Sequence, residues 1–559
     1  MSHIFTQHRF TLLAVVILGL SFVFRFWQLG NVPVGLYWDE VAMYVDAKTV
    51  SQSLKDMHGN SALQAMFPSY GDYKLPVYIW LASLSFKLFG ASNFALRLPS
   101  AIAGILQGYL IFVLVKELSN KFISKEKSQY LGLLGWFVSA VSPWSVLFSR
   151  TGFEGHIGQL LICASVFSFV SSKRNRLWLI PAIVLGILST YTYYSVRFVW
   201  PIVFIGYWFL LQPFPKTLLQ FVKSSFVSVA LLLIWGIGIL PLFFSPWYQP
   251  SQQFRLSTPS LMDLGPYSIR SNEFREMSGN GPLSRVFYHQ RVLQLRDVLE
   301  HYADHFDFSY LFISGDKNLR HSTGFDGLFL LFSAPLLVAG ILYLVKNDVR
   351  LFLFLFGWWL IALLPASIPI ETPHALRSLN ALTPILLLMS FGGIPITQII
   401  QSIRPASFRF GAVFLIILMI TVQVTWFTVD YFFIYPGKSA HDWQEGYQTL
   451  AKVIEDKHGS YDKVWANPYD DRFFLWYLAY SNMDAQRIQS IMKDTFLTDR
   501  IDNIIFQEFP FDKSNPSVRP FMTIKRSTAD NDENNPSTTQ QEILGYDHQP
   551  LFIIRYYER

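Results

Sequence analysis

Two adjacent acids, Asp39 and Glu40, follow the first long apolar stretch of this chain within the run Leu36-Tyr37-Trp38-Asp39-Glu40. A carboxylate placed where a membrane helix re-enters water is partly desolvated, so its basicity can be set for proton transfer. Such a pair is ordinarily a solvated cap. What singles it out is the company it keeps elsewhere in the chain. Asp72 and Lys74 lie late in the same polar stretch. Arg150, Glu154 and His156 fall between two later apolar runs, Asn318, Arg320 and His321 precede another, and Glu371, His374 and Arg377 separate a further pair. Arg and Lys are the side chains that hold phosphates. Lys74, Arg150, Arg320 and Arg377 therefore suit a diphosphate or lipid phosphate, with Glu154, His156, His321 and His374 as further ligands of the substrate and an acid nearby as general base. Glu154, His156 and His321 also offer the donor types of a divalent metal, although their spacing matches no dedicated metal motif.

The elements that must position these residues are membrane helices. The chain has 559 residues, of which 51% are hydrophobic, 17% aromatic and only 15% charged. A soluble protein usually carries about 25% charged residues. The deficit sits in uncharged runs such as 130–148, 351–370 and 411–429, and roughly 20 apolar residues span a bilayer as a helix. About eleven spans are expected, near 10–29, 98–115, 130–148, 154–170, 177–194, 198–211, 225–245, 326–345, 351–368, 381–399 and 411–430. The first has no small-residue cleavage site after it and reads as an uncleaved signal anchor. With the N-terminus inside, the inner segments hold nearly all the short-loop Lys and Arg, including Lys116, Lys121, Lys125, Lys127, Lys173, Arg174, Arg176, Lys346, Arg350, Arg404 and Arg409; the short outer loops hold only Arg150, Arg197 and Arg377. The net charge of +6 is thus a topology signal. No basic stripe interleaved with aromatics marks a nucleic-acid partner. The one cysteine, Cys163, excludes a disulfide within the chain.

Three polar regions fall on the outer side: 30–97, 246–322 and the tail. The expected fold is an α-helical polytopic membrane protein, with a transmembrane catalytic domain over 1–433 and a small external α/β domain over 434–559. In the first loop, residues 40–57 read as an amphipathic helix and 75–90 as a helix lying at the interface. In the tail, 441–458 reads as a helix, 463–466, 501–506, 521–525 and 551–557 as strands, and 527–541 as a polar loop. The span centres are almost free of ionisable residues, and no internal repeat is visible. Both observations disfavour a lipid or solute transporter, and a passive scaffold has no use for acids and phosphate-binding cations gathered at one depth.

The order of these pieces resembles the GT-C superfamily of membrane glycosyltransferases, in particular its branch of protein O-mannosyltransferases and lipid A aminoarabinose transferases. The resemblance rests on Tyr37-Trp38-Asp39-Glu40, Tyr73-Lys74-Leu75-Pro76, Ala95-Leu96-Arg97-Leu98-Pro99-Ser100, Ser149-Arg150-Thr151-Gly152-Phe153-Glu154, Gly315-Asp316-Lys317-Asn318-Leu319-Arg320-His321-Ser322 and Pro373-His374-Ala375-Leu376-Arg377-Ser378-Leu379. It covers about the first 380 residues. It implies a GT-C fold and an enzyme that moves a sugar from a polyprenyl-phosphate donor to an acceptor outside the cytoplasmic (inner) membrane, inverting the anomeric carbon. It implies Asp39 as the acid that orients or deprotonates the acceptor hydroxyl and Lys74 as the lysine on the donor phosphate. Those transferases carry a metal-binding Glu where this chain has Tyr73, which argues against a metal there unless Asp72 takes its place. The chemistry agrees: a lipid phosphate leaves readily once Arg and Lys hold its charge, so no cofactor is required, and a single inverting displacement needs one carboxylate, not two. Asp39 is then the base, Glu40 its orienting neighbour or a substrate ligand, and Trp27, Tyr37 and Trp38 border the sugar. The expected partners are a polyprenyl-phosphate-linked sugar, an acceptor glycan, lipid or protein, and membrane lipids.

Overall fold

The computed structural model describes residues 2–212, 217–257, 260–466, 472–507, 521–526 and 539–557. A helix occupies each of the eleven apolar stretches read from the sequence, for example Ser2–Phe26, Asn93–Ser119, Glu154–Ser171 and Leu382–Ser402. Among the described residues, six helices are long and apolar enough to cross a membrane: Gln7–Phe26, Asn93–Ser119, Ser225–Phe243, Val349–Ala366, Leu379–Ser402 and Ala406–Lys438. The chain is a multi-pass membrane protein. The remaining helices are shorter or less apolar. The stretch 130–148 is divided because the helix Lys125–Val141 stops at Ser142, and Pro143 opens a separate turn of helix, Pro143–Phe148. A proline at the first helical position has no N–H to leave unsatisfied.

The chain folds as two compact units. The first comprises Met1–Trp27, Ser100–Ser149 and Glu154–Asp430. It is a helical body in which small residues let backbones meet. Gly340 on Ala334–Asn347 and Gly392 on Leu382–Ser402 face each other's helix: a β-carbon on Gly340 would lie 1.8 Å from the Leu388 carbonyl oxygen, and one on Gly392 would lie 1.9 Å from that of Leu336. This is the close approach that small residues provide between membrane helices. Arg25, inside the first apolar helix, is fully buried. It donates to the Ser139 and Ala140 carbonyls at 3.0 and 2.9 Å and to Ser145 Oγ at 2.9 Å. It thereby satisfies carbonyls that the end of Lys125–Val141 leaves without helical partners.

The second unit comprises Gln28–Pro99, Arg150–Phe153 and Tyr431–Arg559. Its first element, Trp38–Ser53, is a helix as expected from the sequence, but it has no wet face over residues 40–50. Residues 40–50 are all buried, because the tail covers the face that would otherwise be wet. Lys48 Nζ donates to the Leu478, Ala479 and Ser481 carbonyls at 3.1, 3.3 and 2.8 Å, capping the end of the buried helix Phe473–Tyr480. Pro76–Phe89 is helical as expected. The tail carries a six-stranded mixed sheet in the spatial order 500–501, 504–505, 463–466, 521–526, 550–557, 539–544. Residues 463–466 pair in parallel with both neighbours, and the other pairs are antiparallel. The single strand expected over 501–506 is a hairpin, since Asp502 adopts φ 52° and reverses the chain. Asp tolerates that left-handed conformation better than most side chains. The expected helix 441–458 is confined to Tyr447–Lys457. Of the loop expected over 527–541, residues 527–538 lie outside the described residues, while Thr539–Leu544 is a strand.

The glycine contacts give a direct test. Gly340→Ala and Gly392→Ala are each expected to destabilise the detergent-solubilised protein by about 1–3 kcal/mol through overpacking. Gly357→Ala, within Val349–Leu363 and with nothing within 4 Å of its added carbon, is expected to leave stability unchanged or raise it. Thermal unfolding of the three variants beside wild type checks this.

Candidate active site

Asp39 and Glu40 occupy the first turn of Trp38–Ser53, where the exposed amide end of a helix favours negative charge. Successive residues on a helix point about 100° apart, and the two acids meet different surroundings. Glu40 is fully buried. Arg97 holds it with two parallel bonds, Nε to Oε1 and Nη2 to Oε2, each 3.0 Å long. The Gly152 amide donates to Oε1 at 2.6 Å. The same guanidinium donates to the Pro33 and Gly35 carbonyls at 2.9 and 2.5 Å. Glu40 therefore has no access to a substrate; of the two roles considered for it, only the orienting one is compatible with this position. Arg97, to which the sequence reading gave no role, is its partner.

Asp39 keeps 27% of its side chain exposed, against 6% for Lys74. Lys74 forms an ion pair with Asp39 and donates to Asp72 Oδ2 at 2.7 Å. The Tyr70 hydroxyl donates to Asp39 Oδ1 at 2.5 Å. A short antiparallel ribbon delivers these groups: Phe67 and Pro68 pair with Lys74 and Tyr73, and Gly71, at φ 96°, makes the reversal that leaves Tyr70 and Asp72 on either side. Burial, then the charge of Asp39, pushes the Tyr70 hydroxyl well above its usual range, so it stays a neutral donor. The Arg472 guanidinium lies 4.2 Å from the Trp38 ring centre and 4.8 Å from that of Tyr70, an aromatic–cation stack beside the carboxylate. Tyr70 and Arg472 had no role in the sequence reading: Tyr70 lies two residues before Asp72, but nothing local shows that its hydroxyl reaches Asp39, and Arg472 comes from the distant tail.

Arg150 lies in the same unit and is fully buried. It donates to Tyr431 Oη at 3.2 Å and the Val32 carbonyl at 3.0 Å and rests against the rings of Tyr431 and Phe432. Its guanidinium is turned into the protein interior rather than toward solvent.

The helical unit gathers a second cluster. Asp316, His321 and His374 are all buried, and one ligand atom from each lies within 4.8 Å of the others. Gly315, at φ 70°, makes the turn before Asp316, and a β-carbon there would meet Ser322 Oγ at 2.3 Å. Asp316 accepts from the Asn318 amide at 2.9 Å and from the Ala375 amide at 2.8 Å. Its Oδ2 is 3.4 Å from His321 Nδ1, and the His321 and His374 ring centres are 4.5 Å apart. Burial raises the Asp316 carboxyl, but His321 and the two amides outweigh it and hold the group below its usual value. Burial, then His321, Arg377, His305 and Arg320, lowers His374 well below the usual histidine range, so its ring is neutral. Four residues read from the sequence, Arg320, His321, His374 and Arg377, thus act on one another here. Glu154 and His156 are not part of the cluster. His156 is fully buried within Glu154–Ser171, with no hydrogen bond to either ring nitrogen. Among the described residues, the group that could hold a metal ion is Asp316, His321 and His374, in place of Glu154, His156 and His321.

Residues 73–238 match the family of dolichyl-phosphate-mannose-protein mannosyltransferases. No curated protein sequence matches the chain. Among solved structures, ArnT from Cupriavidus metallidurans in its apo state aligns over 100% of this chain and 98% of its own, at 10% identity and a TM-score of 0.51. The chain has the GT-C fold. The archaeal oligosaccharyltransferase AglB from Archaeoglobus fulgidus, solved with an inhibitory peptide and a dolichol-phosphate, aligns over 85% of this chain and 64% of its own, at 13% identity and a TM-score of 0.50. The mannosyltransferase match begins at Tyr73-Lys74 and takes in Arg150, Glu154 and His156.

The buried pair makes its own prediction. Arg97→Ala leaves Glu40 charged and uncompensated inside the protein, and removing one partner of a buried pair costs about 3–5 kcal/mol. Thermal unfolding is expected to fall sharply for Arg97→Ala, and less for Arg97→Met combined with Glu40→Leu, which leaves no buried charge.

Proposed function

We propose that this protein is a membrane glycosyltransferase that moves a sugar from a polyprenyl-phosphate donor to an acceptor hydroxyl at the outer face of the cytoplasmic membrane, inverting the anomeric carbon. The observation that carries the reading is the Asp39–Lys74 pair: a partly exposed carboxylate joined to a nearly buried ammonium, with Tyr70 and Asp72 fixing both. The transferase fold and the lipid phosphate bound by AglB support it.

Lys74 takes the donor phosphate. That exchange withdraws the ammonium from Asp39, so the carboxylate is released as the phosphate arrives. Asp39 then accepts the proton of the acceptor hydroxyl while the hydroxyl oxygen attacks the anomeric carbon and the lipid phosphate leaves. The leaving group's charge is met by Lys74 and needs no further acid. One carboxylate on the acceptor side suffices for this single displacement. Glu40, fixed by Arg97, holds the helical turn that aims Asp39. Trp38, braced by Arg472, offers a flat ring beside the base, the kind of surface on which a sugar stacks. Arg320 and Arg377, both half-buried, supply cationic charge in the helical unit of the kind that holds a phosphate.

The test uses purified protein in detergent with a panel of radiolabelled polyprenyl-phosphate sugars and a lipid extract as acceptor source. Wild type is expected to discharge label from one donor. Asp39→Asn is expected to lose turnover by about 10²–10⁴-fold, the usual contribution of a positioned base, while donor binding holds or tightens because Lys74 keeps only one of its two carboxylate partners, Asp72. Lys74→Ala is expected to weaken donor binding itself. Undiminished transfer by Asp39→Asn would remove Asp39 from the chemistry.

A further inference from the structure

We propose that Asp316, His321 and His374 form a binding site for one divalent transition metal of the zinc class. The site goes beyond the transferase reading and does not depend on it. The three residues come from two separated loops, 315–322 and 373–378, that the helical unit brings together. Two imidazoles and one carboxylate are the protein ligands of an open zinc site, which leaves a fourth position for a non-protein ligand. Zinc–nitrogen and zinc–oxygen bonds of about 2.0–2.1 Å in a tetrahedron place the ligand atoms about 3.4 Å apart. His321 Nδ1 and Asp316 Oδ2 already stand 3.4 Å apart, and all three donors fall within 4.8 Å. Small side-chain rotations would bring the third into place.

The surroundings are those of a prepared site. The Asp316 carboxylate is oriented by the Ala375 and Asn318 amides at 2.8 and 2.9 Å. The main-chain amide of His374 is fixed by His305 Nε2 at 3.1 Å. The Phe148 ring stacks on His321 with 6.0 Å between centres. Such second contacts set ligand orientation in metal sites. All three candidate ligands are buried, away from competing water. Arg320 and Arg377 flank the cluster, so the open position would take an anionic oxygen, of which a phosphate oxygen is the obvious class.

Metal alone is the probe. Protein purified in detergent is stripped with chelator, dialysed, and titrated with zinc or cobalt(II) in phosphate-free buffer. The expected result is one equivalent bound per chain, with a rise in melting temperature on metal addition. Asp316→Asn, His321→Ala and His374→Ala are each expected to weaken binding by at least about 10–100-fold, the range seen when metal sites lose even outer contacts. His156→Ala is expected to bind as wild type does. Zinc-edge X-ray absorption on wild type, which needs no variant, is expected to count two imidazoles. No stoichiometric metal on wild type, variants that melt normally and bind undiminished, or loss of metal with His156→Ala would each overturn the site.

Discussion

The contact between Arg97 and Glu40 is the constraint on which the candidate active site depends. A guanidinium and a carboxylate sealed from water are stable only if nearly every donor and acceptor is satisfied. Here the satisfying groups come from three separated parts of the chain. Arg97 takes the carboxylate and the carbonyls of Pro33 and Gly35, and Glu40 also takes the amide of Gly152. The pair therefore ties the approach to helix Trp38–Ser53, the start of helix Asn93–Ser119 and the segment Arg150–Phe153 into one body. Its stabilising worth is modest against a well-packed apolar alternative, but its geometric effect is large. It fixes the first turn of the helix, and the residue one step before Glu40 is the partly exposed acid.

That arrangement divides labour between neighbouring residues of one type. In the proposed reaction Glu40 serves position and Asp39 serves the chemistry. Lys74 sits between Asp39 and Asp72, so its charge is compensated until something more anionic arrives. In the proposed reaction a phosphate is that ligand, and exchange of partners at one ammonium would couple donor arrival to release of the base. The helical unit has a different economy. Its backbones approach through Gly340 and Gly392, its buried Arg25 serves helix ends, and its concentrated polar chemistry lies in the loops that carry Asp316, His321 and His374.

Much of this was legible in the sequence, for reasons that can be named. Apolar stretches are long and unambiguous, so a helix stands at each position expected. The acids and cations at stretch ends stood out because charge is rare in such a chain. What the sequence withheld was burial. Arg150 and Arg97 look alike as interfacial cations, and only packing reveals that both are interior. Residues 40–57 suggested an amphipathic helix because nothing local announces that the distant tail will cover it, with Lys48 reaching the carbonyls of residues 478–481. Asp316 was passed over because an acid two residues before an asparagine reads as a turn former. It is one, capping the Asn318 amide, and it also faces two histidines. The hairpin at Asp502 was missed because Ile501 and Ile504-Ile505-Phe506 were read as one strand across the polar pair Asp502-Asn503.

The measurement that tests the central claim most directly is a structure of the wild-type protein with a polyprenyl phosphate, determined in a lipid nanodisc. The account predicts phosphate oxygen within hydrogen-bond reach of Lys74 Nζ, the Asp39–Lys74 contact opened, and the Glu40–Arg97 contact unchanged. A phosphate bound away from Lys74, with the Asp39–Lys74 pair still closed, would contradict it.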